Sequence, residues 1–174
     1  MSIDFAIKVY KQYFNFACSH FMIFADGSRE PLHGHNYRVK VKADAPELEG
    51  DMVFDFLNIK PLVRELCDSL DHKLLLQGEC PQLIINDEEP NWRLELPDQT
   101  MMSLPKQDVL ILPILNTSAE RLAIYLAQEL EDKVYKKYSF RFAQIEIEVE
   151  ETPGQSAVYL HRCKESDPSQ RELL

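Results

Sequence analysis

The chain has 174 residues and a formal net charge of −10, enough for one domain with a sizeable core and short for two. That acidic balance argues against a general nucleic-acid binder but leaves a small anionic substrate open, because a few local cations suffice for one. No apolar run is long enough to cross a bilayer, the opening MSIDFAIKVYKQ is too charged for a signal peptide, and Cys18, Cys67, Cys80 and Cys163 are scattered without a CxxC; we expect a soluble cytoplasmic protein with free thiols and no membrane partner.

Two strands open the chain. FAIKVY puts Ile7 and Val9 on one side, and YFNFACSHF puts Phe14, Phe16, Cys18 and His20 on one side. The phase slips between them, which predicts a bulge or bend near Lys11 to Tyr13. ADGSREP is a turn cluster. From His35 the alternation resumes, with Tyr37, Val39 and Val41 facing one way and Arg38, Lys40 and Lys42 the other. This is a strand with one buried side, shared by His33 and His35. A hairpin of these strands sets His20 across from His33 and His35.

Next, Ile59, Leu62, Val63, Leu66, Cys67 and Leu70 recur at three and four, a helical stripe with Pro61 expected in the first turn. A second stripe, Ala119, Leu122, Ala123, Leu126, Leu130 and Val134, follows Thr117 and Glu120, which match a capping box. The stretch between the helices, about 77–113, is too long for a plain connection; WRLEL and DVLILPI predict an inserted hairpin within it. FAQIEIEVEE then alternates, with Ile145, Ile147 and Val149 inward, and AVYLHR is a last strand after a turn at Pro153 and Gly154. Residues 163–174 read as a polar, frayed tail. The order predicts a single α+β domain over 1–162: an antiparallel four-stranded sheet with two helices on one face, plus the inserted hairpin.

Three histidines, His20, His33 and His35, converge if the first hairpin pairs this way. Three imidazoles with one open position make a catalytic zinc site, and zinc acidifies the hydroxyls of a bound diol. The plain alternative is a set of ordinary polar residues at strand ends. Asp71 and His72 follow the first helix. There a protonated histidine suits the helix dipole, while a carboxylate that orients an imidazole makes an acid/base pair; spacing alone favours the former. Glu146, Glu148 and Glu150 form a solvated face, whereas Glu151 points toward the apolar side just before TPG. Either it turns back to water at the strand end, or it is an inward carboxylate that needs donors.

Together FACSHF, LHGHNYRV, VFDFLNIK, LDHKLL, TSAERLA and VEET resemble the 6-pyruvoyl-tetrahydropterin synthase and 6-carboxy-tetrahydropterin synthase (QueD) family over nearly the whole chain except the insert and the tail. The resemblance implies the tunnelling fold and a homo-hexamer built as a dimer of trimers, with active sites at subunit interfaces. It implies 7,8-dihydroneopterin triphosphate as substrate and His20, His33 and His35 as ligands of Zn2+. It makes Glu151 the carboxylate that anchors the pterin's amino and ring N–H groups, which suits a bidentate acceptor. It places Asp71 and His72 in the catalytic triad, and Thr117 and Ser118 in the segment that touches the pterin edge.

One departure matters. The family's catalytic cysteine stands four residues before the first histidine of HGH, and here that position is Arg29. The next residue, Glu30, gives EPLHGH, which resembles a variant branch with Glu in place of the Cys. Members of that branch cleave the side chain to 6-hydroxymethyl-7,8-dihydropterin, a folate precursor, and Glu30 is then the catalytic base. The alternative for Glu30 is a loop carboxylate paired with Arg29. Three functions stay open: side-chain cleavage, 6-pyruvoyl- or 6-carboxy-tetrahydropterin synthesis, and pterin binding without catalysis. Cys18 shares a face with His20, but a free cysteine there is expected to pack in the core. Arg29, Lys73 and Arg38 are candidates for the triphosphate by proximity alone. The insert either lids the site or extends an oligomer contact.

Overall fold

A computed structural model describes residues 5–163. The tail expected over 163–174 therefore lies, beyond Cys163, outside the described residues. The fold is α+β, of the tunnelling type, with two helices on one face of a mixed sheet and an extra antiparallel unit. Strands β1 (Phe5–Val9), β2 (Asn15–His20) and β3 (His33–Ala45) come first, then helix α1 (Phe56–Leu70) and β4 (Lys73–Gln77). The insert supplies β5 (Ile84–Glu88), β6 (Asn91–Glu95), β7 (Met101–Pro105) and β8 (Val109–Leu112). Helix α2 (Ala119–Tyr138), β9 (Gln144–Thr152) and β10 (Gln155–Arg162) close the described chain.

The expected antiparallel quartet is present as β10-β9-β3-β2. β1 and β2 both pair antiparallel with β3, β1 against its far half and β2 against its start. The phase slip at Lys11–Tyr13 is a turn closed by the Phe14 N–H donating to the Lys11 carbonyl. The sheet runs further than expected: β4 joins β2 in parallel and β8 joins β4 in parallel. DVLILPI is thus a strand of the main sheet, not the hairpin partner of WRLEL. WRLEL forms β6, flanked by β5 and β7 in a separate three-stranded sheet.

The physical reason is burial on both faces. Leu75 and Leu112 pack into the main core with Phe16, Tyr37, Val39 and both helices. Leu74, Leu76 and Val109 pack into a second core with Phe21, Ile23, Leu94 and Leu96. A parallel strand covered on both sides reads as a continuous apolar run, without a period of two.

The α1 stripe is buried as expected at Ile59, Leu62, Val63, Leu66, Cys67 and Leu70. Pro61, however, lies in the second turn, not the first. Asp55 is the N-cap, its carboxylate accepting from the Leu57 N–H, so the helix starts at Phe56. In α2 the cap is Ser118 rather than Thr117; its hydroxyl accepts from the Arg121 N–H.

Candidate metal centre and its pocket

The hairpin register sets His20 directly opposite His33, and His35 follows two residues on along the same face of β3. The three rings lie with centroids 4.6, 5.4 and 4.9 Å apart, and one nitrogen from each falls within 4.8 Å of the others. Gly34 sits between the two β3 histidines because a Cβ there would meet the Cys18 carbonyl at 2.9 Å.

Hydrogen bonds aim the rings. His20 Nδ1 lies 3.1 Å from the Thr117 carbonyl, and His33 Nδ1 lies 2.8 Å from the Pro31 carbonyl. A carbonyl only accepts, so each Nδ1 carries the proton and each Nε2 presents a lone pair, that of His20 lying 3.1 Å from the Tyr37 hydroxyl. Burial, reinforced by His33 beside it, lowers the pKa of His20, which favours the neutral ring that a metal needs. With one nitrogen of each ring within 4.8 Å of the others, the three side chains could hold one metal ion between them. Three imidazoles suit a divalent transition-metal ion and would leave it a position for a further ligand.

Thr117 is fully buried beneath His20, and its hydroxyl donates to the Phe21 carbonyl at 2.9 Å. The residue expected at the pterin edge is thus a support for the histidine. Ser118 stands on the pocket wall instead.

The pocket has a volume of about 270 Å³ and is lined by His20, Met22, Glu30, Ser118, Glu151 and Ala157, among others. Glu151 continues the inward phase of Val149. The Tyr37 hydroxyl donates to Glu151 Oε1 at 2.8 Å, and that oxygen lies 3.8 Å from both His20 Nε2 and His35 Nε2. Tyr37 is completely buried, and burial followed by the Glu151 hydrogen bond pushes its pKa up, so it remains a donor. Sequence reasoning placed Tyr37 in the core and missed this second task; its place two residues after His35 was the available signal.

Glu30 reaches the pocket from the loop between β2 and β3, with Oε2 accepting from the Met22 N–H at 3.2 Å. Arg29 does not pair with the Glu30 carboxylate. Its Nε donates to Asp98 Oδ2 at 2.8 Å, in the insert. Lys73 donates to the Gln107 carbonyl. Cys18 is packed in the core, where burial, then the Asp71 charge, pushes its thiol pKa up to about 12; it is no substitute for the missing cysteine.

Asp71 and His72 are joined, Asp71 Oδ2 to His72 Nδ1 at 2.8 Å, but stand outside this pocket. Burial opposes ionisation of Asp71, yet the Ala17 N–H and His72 prevail and hold its pKa below the ordinary value. His72 is 83% exposed and adopts φ 56° in the turn into β4. A second group with metal-ligand spacing, Glu131, His161 and Cys163, also exists. There the Glu131 carboxylate already binds the Arg141 guanidinium and His161 Nε2, which ties α2 to β10 and to the loop before β9.

The family profile for 6-pyruvoyl tetrahydropterin synthase matches residues 8–162. The chain belongs to that family. Among its relatives is a protein of Methanocaldococcus jannaschii provisionally assigned as a 6-carboxy-5,6,7,8-tetrahydropterin synthase, 38% identical over 83% of this chain and 88% of that one. A similar protein of Pyrococcus abyssi, assigned in the same terms, is 28% identical over 79% and 80%. Among solved structures, the 6-pyruvoyl tetrahydropterin synthase of Plasmodium vivax superposes with a TM-score of 0.83 at 30% identity, covering 91% of this chain and 98% of that one. In two further structures of the Plasmodium vivax protein, a glutamate described as a catalytic residue is replaced by alanine or by cysteine.

Proposed function

We propose that this family member is a zinc-dependent pterin synthase acting on 7,8-dihydroneopterin triphosphate, with Glu30 as the base. The observation that carries this reading is the placement of Glu30 and Glu151 on the walls of one pocket beside the three-histidine cluster. Zinc held by His20, His33 and His35 would make the hydroxyls of the substrate side chain more acidic. Glu30 accepts the proton. Glu151 has Oε1 fixed by Tyr37 and keeps further lone pairs for the adjacent N–H groups of a pterin. Ser118, Ala119 and Glu120, at the start of α2, line the same pocket. Asp71, half-buried, and His72, exposed, both outside the pocket, suit a pair that completes the site of a neighbouring subunit in a hexamer with sites at its interfaces.

The names of the relatives favour 6-carboxy-tetrahydropterin as product, ahead of the 6-hydroxymethyl product that EPLHGH suggested. The second reading keeps one specific support: a catalytic glutamate also occurs in the Plasmodium vivax synthase. Incubation of zinc-loaded protein with 7,8-dihydroneopterin triphosphate, followed by mass-resolved chromatography of the oxidised pterins, separates the two. A 6-carboxy product upholds the first, and a 6-hydroxymethyl product the second. Binding of pterin without turnover would refute both and leave a non-catalytic pterin binder. Glu30→Gln is expected to keep its metal and lose turnover by at least about 100-fold; retained turnover removes Glu30 from the mechanism.

A further inference from the structure

The loop that carries Glu30 is a miniature hairpin with two occupied faces. The Glu30 N–H donates to the Met22 carbonyl at 3.0 Å, Ile23 and Arg29 form an antiparallel bridge, and the turn is closed by Phe24 and Ser28. Alternation then sends Met22 and Glu30 to the pocket and Ile23 and Arg29 to the other side. On that other side lies the insert. Ile23 packs in the second core with Leu94 and Leu96, and Arg29 reaches the turn after β6, where Nε meets Asp98 Oδ2 at 2.8 Å and Nη2 meets the Thr100 hydroxyl at 3.4 Å. Arg29 Nη1 also donates back to the Glu30 carbonyl at 3.1 Å.

Asp98 is prepared for this contact. Thr100 donates to its Oδ1 from both its N–H and its hydroxyl, at 3.0 and 2.5 Å, which leaves Oδ2 for Arg29. Arg29 and Asp98 are 18% and 37% exposed. An ion pair that open to water adds little to global stability. It does fix geometry, because one guanidinium bonds the insert and the backbone of Glu30 together.

We propose that Arg29 and Asp98 are positioning residues, and that the insert acts through them to hold the Glu30 carboxylate in place. This rests on the reading of Glu30 as the base. A misplacement of about 1 Å at a reacting group can cost on the order of 100-fold in rate, so a modest loosening of this hairpin is visible in kcat.

The test is a double-mutant cycle with Arg29→Gln and Asp98→Asn, measured on metal-loaded protein for kcat and KM and on metal-free protein for amide exchange at 22–30. Each single variant is expected to lower kcat about 10-fold or more with KM and metal content unchanged, to speed exchange of the Glu30 amide, and to leave the thermal midpoint nearly unmoved. The double variant should lose no more than either single one, since both break the same contact. Wild-type kcat in Asp98→Asn, or losses that multiply in the double variant, would overturn the proposal. If Glu30→Gln keeps full turnover, the base reading fails by itself. The exchange data then decide the latch alone: faster exchange of the Glu30 amide in Asp98→Asn upholds it, and unchanged exchange sinks it.

Discussion

Thr117 shows how one residue can serve a site it does not face. Its backbone carbonyl orients His20 and its hydroxyl occupies the Phe21 carbonyl. These roles separate cleanly in Thr117→Val, which keeps the carbonyl and the shape. Gln77 still donates to Phe21 at 3.3 Å, so the expected loss is about 1 kcal/mol of stability, with metal affinity changed by less than about 10-fold. Urea titration and metal competition measure the two. His20 also predicts a pH dependence. Its folded pKa is lowered from 6.5, mainly by burial. The unfolded chain therefore takes up a proton near pH 6.5 that the folded chain refuses. On this account stability is unaffected above that pH and declines as pH falls through it. Melting of metal-free protein from about pH 7.5 to about pH 5.5 should show this decline, and His20→Gln should flatten it. Depressed carboxylates such as Asp71 and Glu148 act in the same direction, but only at lower pH.

At the scale of elements, legibility followed periodicity. The β2–β3 hairpin and the α1 stripe were readable because each has one wet side, so period two and period 3.6 survive in the sequence. β4 was not, because Leu74, Leu75 and Leu76 are covered from both directions and no alternation remains to detect. β8 was misassigned for the same reason, and its parallel partner is distant in sequence. The cap of α2 failed differently: Thr117 and Ser118 are both good cap types, and Thr117 is taken up by contacts to Phe21 and His20, which leaves Ser118 at the cap. Around the pocket, the convergence of the three histidines followed from phase, whereas phase left Glu151 open between water and the interior. The Arg29–Asp98 contact was not legible, since no local pattern joins residues 69 positions apart. The second core makes a checkable element-scale prediction. Leu94 is fully buried there, so Leu94→Ala should cost about 2–5 kcal/mol. Because β4 belongs to both cores, urea unfolding should remain a single transition; a separate early step would show that the insert melts alone.

For the molecule as a whole, three strands of the sheet have a single partner among the described residues: β10 and β8 at its two ends, and β1 beside β3. Val158 and Leu160 on β10 are exposed. An edge strand of this kind invites pairing with another chain. With the Asp71–His72 pair standing outside its own chain's pocket, this edge suits association with further copies of the chain; six chains is the number that the family resemblance implies and the result expected. Analytical ultracentrifugation checks it. A monomer with full turnover would mean that each chain completes its own site. Among the described residues no helix is long and apolar enough to cross a membrane.

The two-sided burial of β4 has a consequence for protein engineering. The insert looks like a decoration that could be removed to reach a family minimum. A chain cut at Gly78 and rejoined at Val109 would keep every residue assigned to metal and substrate, yet it would uncover Phe21, Leu74, Leu76 and Val109 as one greasy strip. We expect such a miniature to precipitate on expression, and replacing that strip with polar side chains to restore solubility without restoring the hold on Glu30.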